Sequence, residues 1–513
     1  MDHYGILSIV PPILAIVLAL KTKNIIVSLF FGLYFGAIVL AGWNPVAAFA
    51  NLIPDFIYAQ VATDSNMQSI TNLCIIGGFV ALISASGGAA AFAKTAEKWV
   101  KKKRTAETAM WLGGIFVWFT DSGNSLLVGP IFQPIAERFR VSREKFAYIL
   151  DATSSPICAL VPVISWGVYI MGLIDAELEK IPNLADSSWN LFLEAIPYQF
   201  YNILTLVMVG YICLTQFDFG PMLKAQKRAE QTGKTIRDGG VPMRSTVEVK
   251  LPEGVEPKAI SVVVPLAIML ITMFTIFFLN GFPQKSIDGI VIRQGIALGF
   301  ILGGIAAGFI NCKLRIFTPK QVENKVFDGM KDMMFLIVMM ILSWSLGSVC
   351  SQMGTAYYIL EVTQDFLNPA VLPAILFLIG CCMSLATGSS WGTFAILIPI
   401  GFPIAAIMGT PLAVTVAAVI SGGVFGDQCS PISDTTMLAS MGSACDHIDH
   451  FRTQFPYACT VAAVSVVLYL IAGYTEHAWI VIAGAAILFA VVAVLHKISV
   501  RLLKNTKSEY PLS

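Results

Sequence analysis

The sequence carries little charge and no paired-cysteine motif. Charged residues make up 13% of the chain and hydrophobic residues 56%, whereas soluble globular domains contain roughly 25% charged residues. Too little polar surface remains to face water, which excludes an ordinary soluble protein. The formal net charge of +1 gives no reason to expect nucleic-acid binding. The ten cysteines form no CxxC pair and lie mostly in apolar segments, so we expect reduced core residues.

Apolar segments of membrane-spanning length recur along the chain, for example at 260–279 and 480–495. Blocks of roughly 17–25 residues match the thickness of the hydrocarbon core, and about a dozen such blocks are present. No basic stretch precedes the first apolar run, from residue 6, and no small-residue cleavage site follows it, so we expect a retained span. The sequence therefore predicts an all-α polytopic membrane protein that lies in the lipid bilayer of the cell (inner) membrane.

Basic residues indicate the orientation of the chain, because cytoplasmic loops near span ends carry an excess of Lys and Arg. The loops 43–68 and 174–194 are acidic or neutral. The chain is thus predicted to start outside and to end in the cytoplasm, with a cytoplasmic linker and a cytoplasmic tail. The loops with clustered Lys and Arg are 21–23, 101–104, 138–145, the linker 218–258, 313–325 and the tail 497–513.

Two pairs of short apolar arms are expected to form re-entrant helical hairpins. The first hairpin, 106–137, lies between two loops predicted to be cytoplasmic, and its arms meet at the polar stretch 120–125. The second hairpin, 371–408, is predicted to enter from the opposite side and turns at 387–393. Non-helical backbone at this depth has to be buried in protein or to line an aqueous cavity.

Each hairpin is followed by a membrane segment with a polar, proline-containing break. The first broken helix is predicted at 146–170, with its break at 151–156, and the second at 411–442, with its break at 426–436. Proline removes a backbone donor and frees a carbonyl one turn earlier. Both segments therefore expose backbone oxygens inside the membrane.

The chain thus divides into two transmembrane halves, 1–217 and 259–496, with the same parts in the same order. The charge-derived topology gives the two halves opposite orientations. We predict inverted structural repeats, each with a re-entrant helical hairpin and a broken transmembrane helix. Such repeats are typical of secondary transporters, whose sites lie where discontinuous helices meet.

The two hairpin tips and the two breaks concentrate oxygen ligands, which a hard cation prefers. Carboxylates inside a membrane are costly and are functional by default. A carboxylate that alternately holds Na⁺ or a proton is the simplest exchange device, although Asp and Ser also cap helices. The candidate residues for Na⁺ and substrate are Asp121, Ser122, Asn124 and Ser125; Asp151, Thr153, Ser154 and Ser155; Thr387, Ser389 and Ser390; and Asp427, Ser430, Ser433, Asp434 and Thr435.

No lysine or arginine lies in these four regions. An anionic substrate would therefore have to rely on helix N-termini. Four tryptophans lie near these regions and are candidates to wall a pocket for an organic solute, with lipid or core packing as the alternative. They are Trp118, Trp166, Trp344 and Trp391.

The segment 446–450 contains two Asp and two His, which suit zinc ligation or pH sensing. Its place at the cytoplasmic end of the second broken helix, where polar residues are expected, argues against zinc.

The second break resembles the signature of the NhaC family of Na⁺/H⁺ antiporters, in the stretch VFGDQCSPISDTT at 424–436. The stretches 445–450, 453–454 and 120–130 are similar to the same family. The resemblance implies Na⁺/H⁺ exchange with re-entrant hairpins. Relatives with this signature also resemble malate–lactate exchangers and amino-acid permeases, so it marks the sodium machinery better than the second substrate. The residues to which the resemblance carries over directly are Asp427, Ser430, Ser433, Asp434 and Thr435.

These observations predict Na⁺/H⁺ antiport by alternating access, with the hairpin tips facing each other across a midplane site. Asp427 or Asp434 would exchange Na⁺ for H⁺, with Asp151 as the counterpart in the first half.

The alternative is Na⁺-coupled transport of an amino acid or small carboxylate, by symport or by malate–lactate-type exchange. The paired breaks argue against a channel, and no nucleophile–base set indicates an enzyme. No cofactor is expected besides Na⁺ and H⁺ as coupling ions, and a homodimer is left open.

Overall fold

The computed structural model describes residues 3–22, 24–88, 91, 100–181, 187–243, 256–282, 289–363 and 368–505. Within these ranges the chain forms helices and no β-strand, which confirms the predicted all-α class. A helix is the expected solution for apolar segments, because it satisfies every backbone donor and acceptor within the segment itself.

The amino-terminal half consists of helices joined by turns, with a π-helical turn at Leu52–Tyr58 and 3₁₀ turns at Gly5–Ile9 and Ile196–Tyr198. Its α-helices are α1 Val10–Thr22, α2 Ile25–Leu40, α3 Pro45–Asn51, α4 Ala59–Val61, α5 Asp64–Ala85, α6 Lys103–Phe116, α7 Asp121–Arg138, α8 Arg143–Ala152, α9 Ser155–Cys158, α10 Ser165–Leu178, α11 Ser188–Ala195 and α12 Phe200–Thr215.

The remainder begins with a linker helix and ends with two long apolar helices. Its α-helices are α13 Gly220–Thr232, α14 Ile260–Leu279, α15 Gly289–Lys313, α16 Pro319–Asp332, α17 Met334–Gln352, α18 Thr355–Thr363, α19 Leu372–Thr387, α20 Ser390–Met408, α21 Leu412–Cys429, α22 Asp434–Gly442, α23 His447–Thr475 and α24 Ile480–Asn505.

Ten helical stretches in the described ranges are long and apolar enough to cross a membrane, by length and composition. The number rises to eleven if the pair Ile26–Leu40 and Pro45–Val61, which is bent by 116°, forms one span. This agrees with the predicted polytopic membrane class. The sequence predicts about a dozen spans, and the number is higher because some apolar segments, such as Gly5–Ala19, form helices shorter than a full span.

Two helix pairs lie at the predicted hairpins. Helices α6 and α7 are separated by residues 117–120, and α19 and α20 by residues 388–389. Gly388 has φ +68°, a left-handed conformation that favours glycine. The Ser389 hydroxyl then caps α20 by accepting the N–H of Gly392 at 3.3 Å. The side from which each pair enters the membrane, and the inverted repeat itself, stay predictions.

The two broken segments differ in detail. Residues 153–154 separate α8 from the four-residue α9, and residues 159–164 separate α9 from α10. The second segment is interrupted once, at 430–433 between α21 and α22. Asp151 lies in the last turn of α8, so its carboxylate belongs to a helix end rather than to the non-helical stretch.

Glycines let each hairpin pack directly on a break. A Cβ at Gly426 of α21 would lie 2.0 Å from the backbone nitrogen of Leu385 in α19. A Cβ at Gly114 of α6 would lie 2.0 Å from Thr153 Oγ1. Small residues are the usual means by which membrane helices approach this closely.

We expect Gly426→Ala to destabilise the protein, because the new methyl group would meet backbone atoms that cannot rotate away. Overpacking of this kind costs about 1–3 kcal/mol. The matched control is Gly304→Ala in α15, where a Cβ meets nothing within 4 Å. The apparent melting temperature in detergent, followed by tryptophan fluorescence, should fall for the first variant only. Equal melting temperatures for the two variants would contradict the close α19–α21 contact.

Candidate functional site

The two broken helices meet at Asp427, a carboxylate that is 2% exposed. Ser155, at the start of α9, donates its hydroxyl to Asp427 Oδ2 at 2.7 Å. Ser433, in the second break, donates to Asp427 Oδ1 at 2.9 Å and lies 2.9 Å from Thr435 Oγ1. Both carboxylate oxygens are therefore bound, one by each half of the chain.

The local fold places Asp427 in the last turn of α21, a helix that is buried from Val414 to Cys429. The break frees carbonyl groups at this helix end. Thr436 of α22 donates its hydroxyl to the Asp427 carbonyl at 3.0 Å and to the Gln428 carbonyl at 3.2 Å. The chain after the break thus returns to satisfy the oxygens that the break exposed.

A second buried carboxylate, Asp151, belongs to a network that reaches α23. The Gln454 side-chain amide donates to Asp151 Oδ2 at 2.7 Å and also to the Gln428 carbonyl. The Gln454 side-chain nitrogen is the donor in both of these hydrogen bonds, so the Gln454 side-chain oxygen acts as an acceptor. His450 Nε2 lies 2.7 Å from this oxygen and donates to it. His450 Nε2 lies 3.8 Å from Asp151 Oδ2. Asp151 is therefore joined to a fully buried histidine.

The network continues towards the protein surface. Ser440 Oγ lies 2.8 Å from His450 Nδ1 and 3.0 Å from His447 Nδ1. The His447 side chain is half-buried, and its Nε2 lies 2.8 Å from the Pro431 carbonyl. We call the series His447, Ser440, His450, Gln454 and Asp151 the histidine chain. It links a partly accessible imidazole to a carboxylate inside the molecule.

The first hairpin tip is attached to the first broken helix. Ser154 donates its hydroxyl to the Asp121 carbonyl at 2.8 Å. Asn124 donates to the carbonyls of Gly114 and Thr153 at 2.8 and 2.7 Å. The Trp166 indole N–H donates to Asp121 Oδ2 at 3.1 Å. The first hairpin tip is thereby bound to residues before α9, at 153–154, and to Trp166 at the start of α10.

The second hairpin tip reaches the same place through aromatic packing. The Trp391 ring centroid lies 4.5 Å from that of Trp166 and 5.0 Å from that of Tyr169. Ser430 of the second break donates its hydroxyl to the Leu385 carbonyl at 2.8 Å. Both tips and both breaks are therefore in contact around Trp166 and Asp427.

Several of the predicted hydroxyl groups serve the backbone instead of facing the cluster. Thr153 donates to the Ile149 carbonyl and Thr387 to the Met383 carbonyl, each one helical turn earlier. Ser154 and Ser430 donate to carbonyls of the hairpins, and Ser389 caps α20. These residues position the breaks.

Asp434 lies beside the buried cluster but is more accessible than Asp427. Its side chain is exposed, and its Oδ1 accepts the N–H of the next residue, Thr435, at 3.0 Å, in the first turn of α22. Ser433, the residue before it, is the N-cap of α22. The Ser122 side chain lies outside the described residues.

Four buried oxygens at these regions make no hydrogen bond within the described part of the chain. They are Asn124 Oδ1, Ser125 Oγ, Asp151 Oδ1 and Ser390 Oγ. Buried polar atoms are nearly always partnered, so each exception needs an explanation. These oxygens come from both hairpin tips and from the first broken helix.

The acidic side chains of the segment 446–450 turn to different partners. Asp446 caps α23 by accepting the N–H groups of Ile448 and Asp449, and Asp449 pairs with Arg237. Among the described residues no group of three or more His, Cys, Asp or Glu side chains is arranged to hold a metal.

A buried charge cluster lies at the start of α8. Lys145 Nζ lies 2.9 Å from Glu107 Oε2 and 2.9 Å from Asp218 Oδ2. Lys145 is 0% exposed, whereas the sequence suggested a lysine of a solvated loop. The difference arises because the first turn of α8 packs between α6 and the segment after α12.

The linker also makes specific contacts. Arg228 of α13 binds both oxygens of Glu144 at 3.1 and 2.9 Å, and Arg237 pairs with Asp449 at the start of α23. The linker therefore does more than join the halves, because it bridges the first turns of α8 and α23.

Sequence reasoning did not assign Gln454, His450 and Gln428 to the site. Gln428 is buried and accepts the Tyr201 hydroxyl at 2.7 Å. The sequence does contain a pattern that points to these residues. Gln454 and His450 are four residues apart, and therefore on one face, at the start of an otherwise apolar helix.

Replacement of Lys145 by methionine should leave Glu107 and Asp218 as uncompensated buried acids. Loss of one partner of a buried ion pair costs about 3–5 kcal/mol. Lys234→Met is the control, because Lys234 pairs with Asp238 at the surface, where a pair is worth about 0–1 kcal/mol. Thermal unfolding should separate the two variants clearly, and similar melting temperatures would argue against a buried cluster.

Comparisons with known proteins bear on this arrangement. Residues 157–474 match the model of the Na⁺/H⁺ antiporter family. An uncharacterized protein of Haemophilus influenzae is 33% identical over 485 residues, 91% of each chain. The malate-2H⁺/Na⁺-lactate antiporter of Bacillus subtilis is 26% identical over 230 residues, 44% of this chain and 45% of the other. The YdaH transporter of Alcanivorax borkumensis is similar in fold, with a TM-score of 0.54 at 14% identity over 80% of this chain and 87% of that one.

Proposed function

Because the chain belongs to the Na⁺/H⁺ antiporter family, we propose that it exchanges Na⁺ for H⁺ by alternating access. The resemblance of the second break to the NhaC family is confirmed by this membership. The protein is a multi-pass membrane transporter and not an enzyme. We place it in the cell (inner) membrane with the N-terminus outside and the C-terminus in the cytoplasm.

The observation that carries the proposal is the Asp427 carboxylate between Ser155 and Ser433. Na⁺ prefers oxygen ligands, and Asp427, the two serine hydroxyls and Thr435 Oγ1 offer them within one hydrogen-bonded group. A carboxylate must be ionised to bind the cation, whereas in a buried position without a cation the neutral acid is favoured. Na⁺ and H⁺ therefore compete for one group, and this competition is the basis of antiport.

We propose that the proton reaches the region of Asp427 through the histidine chain. In the predicted orientation the half-buried His447 faces the cytoplasm, and the series ends at Asp151. Gln454 contacts both Asp151 and the Gln428 carbonyl, next to Asp427. A proton passed from His450 to Asp151, whose nearest polar atoms are 3.8 Å apart, would change the charge beside the cation site.

The second candidate function is Na⁺-coupled transport of an amino acid or small carboxylate. The unpartnered Ser390 hydroxyl and the tryptophan pair Trp166–Trp391 favour it, because they place a polar group and two aromatic walls beside the cation site. The Bacillus subtilis relative, by its name, exchanges both ions and organic acids.

Replacement of Asp427 by asparagine should abolish sodium-driven proton movement, because the amide keeps the shape but cannot alternate between charged and neutral forms. Purified protein in liposomes receives a sodium gradient while internal pH is followed with a dye. Asp434→Asn is the matched control and should retain exchange, since the Asp434 side chain is exposed and does not contact Ser155 or Ser433 in the way that Asp427 does. Full exchange by the Asp427 variant would remove the site assignment.

The same liposomes distinguish the two functions. Proton movement without an added organic solute supports antiport. Sodium-dependent uptake of labelled amino acids, malate or lactate without proton movement supports the alternative.

Replacement of His450 by glutamine should slow exchange while equilibrium binding of ²²Na⁺ is kept, because the histidine chain delivers protons and does not hold the cation. His477→Gln is the control, since His477 is exposed and stacks on Trp479. An exchange rate equal to that of the wild type would exclude His450 from the proton route.

A further inference from the structure

A separate cavity of about 480 Å³ lies between the outer ends of α10, α17 and α20 and the start of α18. Residues of the four breaks do not line it. Pro399, one of its wall residues, follows the start of α20 by nine positions, or roughly 14 Å at 1.5 Å per residue. Its volume falls in the range of small-molecule sites, about 300–1,000 Å³.

One wall of the cavity carries an ion pair. Glu177 lies in the last turn of α10, and Lys180 Nζ lies 2.6 Å from Glu177 Oε1. The Glu177 side chain is 1% exposed, and that of Lys180 is 19% exposed. Gly347 on α17 leaves room for the pair, because a Cβ there would lie 2.7 Å from Glu177 Oε1 and 2.8 Å from Lys180 Nζ.

The pair keeps unused hydrogen-bonding capacity. Glu177 Oε2 is buried and has no hydrogen-bond partner in the described ranges. The Lys180 ammonium has three N–H donors, and Glu177 is its one partner among the residues that the structure describes. A buried carboxylate oxygen without a donor is costly, so a ligand that supplies a donor gains affinity.

We propose that this cavity binds a zwitterionic amino acid. The ligand ammonium would donate to Glu177 Oε2, and the ligand carboxylate would accept from Lys180 Nζ. The apolar wall of Ile181, Ile400 and Ile407 would take the side chain. An anion alone would repel Glu177 and a cation alone would repel Lys180, so the pair selects a ligand that carries both charges.

The site stands apart from the cation exchange proposed above. On the predicted topology it lies towards the outer side, where α10 ends. Its occupation therefore does not depend on whether Asp427 exchanges Na⁺ for H⁺.

Binding of radiolabelled leucine to the full-length protein in lipid nanodiscs tests the proposal. The wild type should bind leucine saturably, and unlabelled alanine and valine should displace it, whereas lactate should not. Glu177→Gln and Lys180→Gln should each weaken binding by roughly tenfold, the effect of one charge-assisted hydrogen bond. Lys180→Arg, which keeps the charge, should restore most of the affinity.

Asp175→Asn is the matched control, because Asp175 lies two residues earlier on the same helix, pairs with Arg293 at 2.7 Å and does not line the cavity. It should bind leucine like the wild type, and size-exclusion profiles verify that each variant is folded. Absence of saturable binding to the wild type, equal displacement by lactate, or unchanged affinity in both cavity variants would overturn the proposal.

Na⁺/H⁺ exchange is measured in the same preparation without any amino acid. Retained exchange in Glu177→Gln together with lost leucine binding supports a separate site. If the wild type shows no exchange, the antiport proposal fails, while the leucine result still decides this one.

Discussion

A carboxylate in the interior of a membrane protein has to be neutralised, paired with a cation or held by hydrogen-bond donors, and Asp427 is held by two hydroxyl groups. One donor comes from the first broken helix and the other from the second break. The position of each broken helix therefore affects the charge state that Asp427 can adopt. A cation between these oxygens would draw the two halves together, whereas a protonated acid needs fewer donors.

The rest of the structure keeps this contact in place. Gly426 and Gly114 allow the hairpins to lie directly on the breaks, and Trp166 joins the tips through Asp121 and Trp391. At the start of α8 the Lys145 cluster and the contact of Arg228 with Glu144 fix the helix. The proposed cation site is thus surrounded by tight contacts, and a moving carrier would shift these elements as groups rather than singly.

The sequence indicated the membrane class and the positions of the polar interruptions, because both follow from local composition. Apolar runs of spanning length and polar residues at Pro156 and Pro431 are visible without a structure. The sequence could not separate Asp427 from Asp434, because only packing makes the first buried and leaves the second exposed.

Contacts between residues that are far apart in the sequence could not be predicted from local composition either. The bond between Ser155 and Asp427 joins residues 272 positions apart, and that between Gln454 and Asp151 joins residues 303 positions apart. Lys145 follows a basic stretch and therefore resembled a loop lysine, although its acids, Glu107 and Asp218, lie on other elements. The inverted repeat and the topology of the hairpins stay predictions.

Calorimetric titration of the detergent-purified protein with Na⁺, in buffers of different ionisation enthalpy, tests the central claim most directly. If one buried carboxylate holds either ion, Na⁺ binding should release about one proton at a pH where the empty site is protonated. The Asp427→Asn variant should release none. Na⁺ binding without proton release in the wild type, or the same release from the variant, would contradict competition of the two ions at Asp427.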